Sequence, residues 1–449
     1  MIDNHSSKRN INLVIGLGKS GFWAAKYLRS INKRVIVWES KDGIEFLERK
    51  TELEELNILV SLNKEFVFEE IQPFVKEIES VVVSPSIPYD HITIIELKKK
   101  GIKVIGEINV AWEILKDTNW IGITGTNGKT TVTHLLSHIL CDSGLYAPFA
   151  GNIGTPLCKY AHSKKHEKID WVVAELSSYQ IEISPEVKPN IGIWTTFTED
   201  HLERHKTLQN YVDAKFKLLD SQSKSCLAFV KRDDVLISRK LKTKKFNCKI
   251  VKVNTKKNYN DFLEIKNKYF LTESNRENLS FIIELAKKLK LKNHLLEKTI
   301  KNFKGLKYRQ QIILQKKNLT IINDSKSTSF SSSVGMFKKA SNILWLLGGI
   351  YKKGDKLELK KKDLSNVTAF IYGENKNFFN KQLRSKVKFK NYINLEDAVK
   401  NVFSIIKKKG SVKYTILFSP CAASFDRFKN FEERGLYFNR LVKRFMYGK

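Results

Sequence analysis

The run Trp120-Ile121-Gly122-Ile123-Thr124-Gly125-Thr126-Asn127-Gly128-Lys129-Thr130-Thr131 constrains this chain more than any other stretch. Its first residues form a contiguous apolar run, as in a strand buried on both faces. Beyond it Val132, Leu135, Leu136, Ile139 and Leu140 recur at helical spacing. A glycine turn between a buried strand and a helix N-terminus is an anion cradle. Backbone N–H groups and the helix dipole converge there on phosphate oxygens. Gly125 and Gly128 let the backbone approach a ligand, with Thr126 and Asn127 between them. Lys129 would reach the β- and γ-phosphates, and the Thr130 hydroxyl, followed by Thr131, would meet Mg²⁺. The strict phosphate-loop spacing also has glycine at position 123, where this chain has isoleucine.

A chain of 449 residues, 42% hydrophobic and 28% charged, is globular and can bury several cores. Roughly two to four domains are expected at this length. The net charge of +33 is extreme and raises the question of a nucleic-acid partner. Yet the lysines are scattered, with only short runs at 98–100, 360–362 and 407–409. No basic stripe, zinc-finger spacing or RNP-type motif accompanies them. A solvated lysine surface is therefore expected, with no specific nucleic acid. Cys141, Cys158, Cys226, Cys248 and Cys421 form no CxxC pair. Reduced thiols in a cytoplasmic protein follow. Met1–Asn10 is polar, and no apolar run approaches the ~20 residues needed to span a bilayer, so no membrane span is expected.

Along the chain, Ile11–Ile15 reads as a strand running into Gly16-Leu17-Gly18-Lys19-Ser20-Gly21. A helix follows to about Arg29, and the strand Val35–Trp38 ends at Glu39. This is the dinucleotide-binding fingerprint, acidic residue included. Alone it says dehydrogenase, but the same turn holds any pyrophosphate. Val81–Val83 leads into Ser84-Pro85, and Ile102–Ile105 is a further strand. The alternation makes a small parallel α/β domain. Trp171–Ala174 then places Glu175 at a strand's carboxyl end, where such sheets bind ligands and a carboxylate suits Mg²⁺. A strand Ile191–Thr196 precedes the polar cluster Thr198–His205. The helix Tyr211–Leu219 carries Lys215, which by residue chemistry alone reads as a surface lysine. The lysine-rich sequence around the strand Lys249–Val253 is weakly patterned until Asn278 opens an amphipathic helix. From Gly305 on, strands Leu319–Ile322, Ile343–Leu347, Ala369–Tyr372 and Tyr414–Phe418 run into polar turns. They suggest another doubly wound α/β domain.

These residues together resemble the Mur ligases over nearly the whole chain, and most closely their D-glutamate-adding branch. The family resemblance rests on Gly-Thr-Asn-Gly-Lys-Thr at 125–130, Gly-Asn-Ile-Gly at 151–154, Glu-Leu-Ser-Ser-Tyr-Gln at 175–180 and Glu-Asp-His at 199–201. The branch rests on Asn-Asp-Ser-Lys-Ser-Thr at 323–328 and the run from Ser419 through Phe431-Glu432-Glu433-Arg434-Gly435. The Asp-Asn-Pro-Arg of diaminopimelate-adding relatives is missing. The resemblance implies three α/β domains. Residues 1–107 would be a Rossmann-like domain for a UDP substrate, 108–304 a P-loop ATPase domain, and 305–449 a Rossmann-like domain for amino acid and nucleotide. It implies an amide ligase of cytoplasmic peptidoglycan precursor synthesis, with ATP and Mg²⁺ as cofactors and an acyl-phosphate intermediate. The implied substrates are UDP-N-acetylmuramoyl-L-alanine and D-glutamate, and a monomer is expected.

Site residues follow by matching position. Lys129, Glu175, His201 and Lys215 would be catalytic. Thr130, Glu175, His201 and Lys215, the last as a carbamate, would hold metal. Asn278, Arg309, Asp324 and Lys326 would join the loop residues at the nucleotide. Gly16, Gly18, Lys19, Ser20, Glu39, Ser84 and Asn152 would meet the UDP substrate. Thr328, Lys352, Ser424 and Phe431 would form the D-glutamate pocket. Four positions depart from the family pattern: Tyr308 and Ser274 stand for histidines, Tyr351 for an aspartate and Ser86 for a glycine.

Overall fold

The computed structural model describes residues 9–256, 267–337, 342–408 and 412–448. The polar stretch 1–8 and Lys409 lie outside the described residues. Three sheets form the framework. The first comprises β1 (Ile11–Ile15), β2 (Arg34–Trp38), β3 (Leu59–Ser61), β4 (Ile78–Val83) and β5 (Lys103–Ile105) in the order β3-β2-β1-β4-β5. The second comprises β6 (Asn119–Thr124), β7 (Phe149–Gly151), β8 (Trp171–Glu175), β9 (Ile191–Trp194), β10 (Leu227–Lys231) and β11 (Lys249–Val253) in the order β11-β10-β9-β6-β8-β7. Both are parallel throughout. That explains the contiguous apolar runs, because strands covered on both faces have no polar side.

The third sheet comprises β12 (Gln311–Lys316), β13 (Leu319–Asn323), β14 (Ile343–Gly348), β15 (Val367–Tyr372), β16 (Lys388–Tyr392) and β17 (Tyr414–Phe418) in the order β12-β13-β17-β14-β15-β16. Only the β12–β13 pair is antiparallel. The first two sheets belong to one compact unit. The third belongs to a second unit, which also takes Thr198–Glu203 and, of the described residues, 255–256 and 267–280.

Within the first unit one apolar cluster runs from Val14 and Val37 through Ile108 and Ala111 to Trp120, Ala174 and Leu218. Polar contacts reinforce it. The Arg204 guanidinium donates to the carbonyls of Pro85, Ser86 and Ile87, and Gly106 N–H donates to Ile183 O at 2.6 Å. Glu107, fully enclosed, accepts the Cys158 N–H at 2.6 Å. Burial pushes its carboxyl up to about 7, although the bonds from Cys158 and Leu157 oppose the shift. A folded pKa raised above the ordinary 4.5 means stability that is complete below that value and lost as pH rises through 7. Glu107→Gln keeps a carbonyl acceptor and has nothing to ionise. The variant is expected to be the more stable above pH 7, by up to about 3 kcal/mol. Urea midpoints at pH 5 and pH 8 check this; an unchanged pH slope would refute it.

Three local expectations are corrected. The helix expected to open at Asn278 spans Glu273–Lys288. Its first turn is polar, so it lacks apolar periodicity, and the Thr272 hydroxyl caps it by accepting the Asn275 N–H. The weakly patterned stretch contains a helix, Val235–Thr243, capped by Asp234 and burying only Ile237. The strand read as Ile191–Thr196 ends at Trp194, because Thr195 and Thr196 turn their polar groups onto the phosphate loop. Among the described residues no helix is long and apolar enough to cross a membrane.

Candidate active site

At the carboxyl edge of the second sheet, β6 gives way to the loop at 125–128, and the helix Lys129–Asp142 follows. Gly125 sits at φ +141, and a Cβ there would overlap Thr195 Oγ1. Only glycine suits that backbone and that approach. The Thr126 N–H donates to Thr196 O at 2.8 Å, and the Asn127 N–H to Thr196 Oγ1 at 3.1 Å. Thr126 Oγ1 lies 3.1 Å from the Tyr211 hydroxyl. Gly128, at φ +86, precedes the helix without a side-chain cap. The loop is thus pinned by Thr196, just past β9, and by Tyr211, while its helix N-terminus keeps the geometry of an anion site. Thr130 and Thr131 are buried beneath it. Lys129 Nζ donates to Gly125 O and Thr126 O, each at 2.9 Å.

Register places Glu175 beside this loop: it pairs with Ile123 of β6 on one side and Gly151 of β7 on the other. The side chain is 2% exposed. Asn152 Nδ2 donates to Oε1 at 2.9 Å, whereas Oε2 is buried with no hydrogen-bond partner among the described residues. A carboxylate oxygen left in that state is costly unless something else meets it. Asn152, expected at the UDP substrate, orients this carboxylate.

Lys215 overturns its reading as a surface lysine. It is 2% exposed. Its Nζ donates to Gly125 O at 3.0 Å and Thr124 Oγ1 at 3.3 Å and stands 4.8 Å from the Tyr211 ring centroid. Two ammonium groups, Lys129 and Lys215, therefore share one carbonyl oxygen. A signal was present in the sequence. Tyr211, Lys215 and Leu219 recur at i, i+4 and i+8, which puts Lys215 on the buried stripe of the helix Leu208–Asp220. Lys217, two positions on, is exposed.

At the first glycine loop, Glu39 accepts the Leu17 N–H at 2.6 Å and the Lys41 N–H at 3.1 Å. The acidic residue of the fingerprint thus braces the loop's own backbone. Gly18 and Lys19 are exposed and Ser20 half-buried at the start of the helix Lys19–Ser30. Gly16 faces Ser84, whose hydroxyl lies 2.9 Å from that of Ser86.

The second unit gathers the remaining residues. His201 is held in the left-handed region, φ +56. Lys352, expected at a different subsite, reaches the same cluster: its Nζ pairs with Asp200 and lies 3.2 Å from His201 Nδ1 and 3.5 Å from Glu203. Burial would raise the Asp200 carboxyl, but His201 and Lys352 outweigh it and hold the group below its ordinary value. Asp324 is enclosed, accepting from Gln310 N–H at 3.1 Å and Ser419 Oγ at 3.0 Å. Burial pushes it up to about 7 against those bonds and against Arg309 and Arg434. Lys326 Nζ stands 4.3 Å from the Phe431 ring centroid. Asn278 and Ser424 are buried, and Thr328 is exposed.

Sequence reading missed the role of Arg434. It is fully buried and donates to Ser325 Oγ, Ser325 O, Ala422 O and Ala423 O at 2.7–3.2 Å. It clamps the turn after β13 to the turn after β17. Phe431, Arg434, Phe438, Leu441 and Val442 share one face of the helix Phe431–Tyr447, the same signal that marks Lys215.

Residues 10–106 match the family described as the Mur ligase MurD-like N-terminal domain, and residues 123–300 match the Mur ligase middle domain. A UDP-N-acetylmuramoylalanine--D-glutamate ligase of Prochlorococcus marinus (strain MIT 9312) is 55% identical, over 98% of this chain and 98% of its own. A protein of the same name from Trichodesmium erythraeum (strain IMS101) is 33% identical, over 95% of each chain. Among solved structures, the MurF ligase from Thermotoga maritima in complex with ADP has a TM-score of 0.57 at 13% identity, covering 90% of this chain and 96% of that one. That last likeness is one of fold.

Proposed function

The chain belongs to the Mur ligase family, and on that premise we propose that it joins D-glutamate to UDP-N-acetylmuramoyl-L-alanine, with ATP as phosphoryl donor, in peptidoglycan precursor synthesis. The carboxylate of UDP-N-acetylmuramoyl-L-alanine takes the γ-phosphoryl group, and ADP leaves. The amine of D-glutamate attacks the resulting acyl phosphate. A C–N bond forms, the C–O bond to phosphate breaks, and inorganic phosphate departs with the amine's proton lost to solvent. The choice of amino acid is carried by one observation: 55% identity over 98% of both chains to a D-glutamate ligase.

The loop geometry supports the phosphoryl step, in which positioning and charge do most of the work. The N–H groups at the N-terminus of the helix Lys129–Asp142 and Lys129 itself hold the phosphates, Lys129 exchanging its carbonyl partners for phosphate oxygens. Mg²⁺ fits the donor set: Glu175 offers a buried, unpartnered oxygen, its other oxygen is fixed by Asn152, and Thr130 adds a hydroxyl beneath the loop. Hard oxygen donors suit that ion, which when bound offsets the charge on the transferring group. His201 and Lys215, as a carbamate, complete the proposed ligands. Asn278, Arg309, Asp324 and Lys326 hold the nucleotide; Thr328, Lys352, Ser424 and Phe431 hold D-glutamate. The first glycine loop, with Ser84, takes the UDP moiety. We divide the chain functionally at 107/108 and 304/305 and place it in the cytoplasm as a monomer.

Phosphate release in the presence of UDP-N-acetylmuramoyl-L-alanine tests this reading. D-glutamate is expected to stimulate it at least about 100-fold more than L-glutamate, meso-diaminopimelate or L-lysine. Equal turnover with any of those three would overturn the assignment.

A further inference from the structure

The loop after β14, which carries Lys352, and the turn after β13, which carries Thr328, are tied together by one carboxylate. The Asp355 N–H donates to Lys352 O at 3.1 Å, so the aspartate moves with the lysine's backbone. Its Oδ2 accepts the Phe330 N–H at 2.9 Å. Phe330 opens the short helical turn Phe330–Ser332, whose first flanking residue, Ser329, supplies no side-chain cap. A helical start leaves its first N–H groups without an internal partner. Asp355 caps this one from a different loop, and a carboxylate suits that end of a helical turn. Burial pushes the carboxyl up to about 6 against the bond from Phe330, and above that range it is ionised.

Stacked rings repeat the link. Tyr351, next to Lys352, lies on Phe378 with ring centroids 4.1 Å apart and planes 14° apart. Phe378 in turn faces Phe330 at 6.2 Å and 25°. Phe330 is buried and Phe378 half-buried, while Tyr351 is 39% exposed. On its other side the loop is already fixed, because Ile350 and Ala423 exchange N–H···O bonds of 3.0 and 2.9 Å. That bridge ties it to the turn bearing Ser424, whereas Asp355 and the rings tie it to the turn bearing Thr328.

We infer that Asp355 is a positioning residue for the amino-acid substrate: its carboxylate sets the Lys352 loop against the Thr328 turn, with the Tyr351–Phe378–Phe330 stack as a second brace. The inference rests on the proposed placing of Lys352 and Thr328 at D-glutamate. Without the carboxylate the Phe330 N–H is unmatched and the two arms settle independently, at the scale of one charge-assisted hydrogen bond.

Steady-state kinetics of the full-length enzyme carrying Asp355→Ala, Asp355→Asn, Tyr351→Ala or Tyr351→Phe test this. Asp355→Ala is expected to raise KM for D-glutamate by about 10-fold, with KM for ATP and kcat at saturation within about 2-fold. Asp355→Asn keeps an oxygen for the Phe330 N–H, so its D-glutamate KM is expected within about 3-fold of wild type. An asparagine variant as poor as the alanine one would show that charge and not the bond is at work, and would overturn the inference. So would an unchanged D-glutamate KM in Asp355→Ala, or a loss spread over kcat and the ATP KM. Tyr351→Ala is expected to raise the D-glutamate KM by about 3-fold and Tyr351→Phe to leave it unchanged, because the stack needs a ring and not its hydroxyl. Should Asp355→Ala not fold, the Tyr351 pair decides: no rise with alanine, or an equal rise with phenylalanine, overturns the inference. If the wild-type enzyme turns over another amino acid instead of D-glutamate, the functional reading falls, while the same KM ratios, read with that amino acid, still decide the inference.

Discussion

Lys215→Arg is expected to lower turnover by about 10³-fold while leaving UDP-substrate binding nearly unchanged. The native ammonium is enclosed and shares the Gly125 carbonyl with Lys129. Two like charges on one oxygen repel each other, and placing a divalent ion beside them would add to that repulsion. Converting the Lys215 amine to a carbamate reverses its sign and supplies oxygen donors of the kind Mg²⁺ takes. A guanidinium keeps the wrong charge and is bulkier than an ammonium. Because size alone would also inactivate that variant, Lys215→Ala is the decisive partner. It is expected to be as poor, and to regain part of its activity when a small carboxylate is added to fill the space. Lys217→Ala, on the exposed side, is expected to retain turnover. Near-normal phosphate release by Lys215→Arg, or an alanine variant indifferent to added carboxylate, would remove the carbamate from the reading.

Glu175→Gln is expected to separate activity from stability. The amide carbonyl can keep the bond from Asn152, while an NH₂ donor replaces the unpartnered Oε2. A cation is then met by the wrong dipole, and turnover is expected to fall by about 10²–10³-fold. The folded protein loses a buried carboxylate charge with one uncompensated oxygen, so its melting temperature is expected to rise by about 2–4 °C. Phosphate release and a thermal melt on the same preparation check both. A variant that is less stable as well as inactive would show that Glu175 is a structural anchor.

Much of this architecture is legible from the chain, for a physical reason. A parallel strand covered on both faces must be a contiguous apolar run, as in Trp171–Ala174 or Ile343–Leu347, and its carboxyl end must turn polar. Elements stabilised mainly by caps leave a weaker trace. Val235–Thr243 owes its start to the Asp234 carboxylate, and Glu273–Lys288 to the Thr272 hydroxyl. The chemistry is unevenly legible too. Lys129 and Glu175 are announced by the turn and strand they sit on. The deep burial of Lys215 and Arg434 was visible only as a charged residue falling on an apolar stripe. The Asn152–Glu175 bond depends on β7 and β8 being neighbours, and local sequence does not specify that pairing. The union of His201 with Lys352 joins residues 151 positions apart.

Of the five cysteines, only Cys141 is exposed; Cys158, Cys226, Cys248 and Cys421 are buried. Thiol reagents are attacked by the thiolate, and burial drives the Cys421 thiol up to about 12. The native chain therefore has a single attachment point without any engineering. Cys141 lies in the last turn of the helix whose first residue is Lys129, about 18 Å along its axis. A fluorophore coupled there rides on the rod that carries the phosphate loop, yet stands clear of it. The fold thus supplies one native optical handle on that helix, at the end away from the loop.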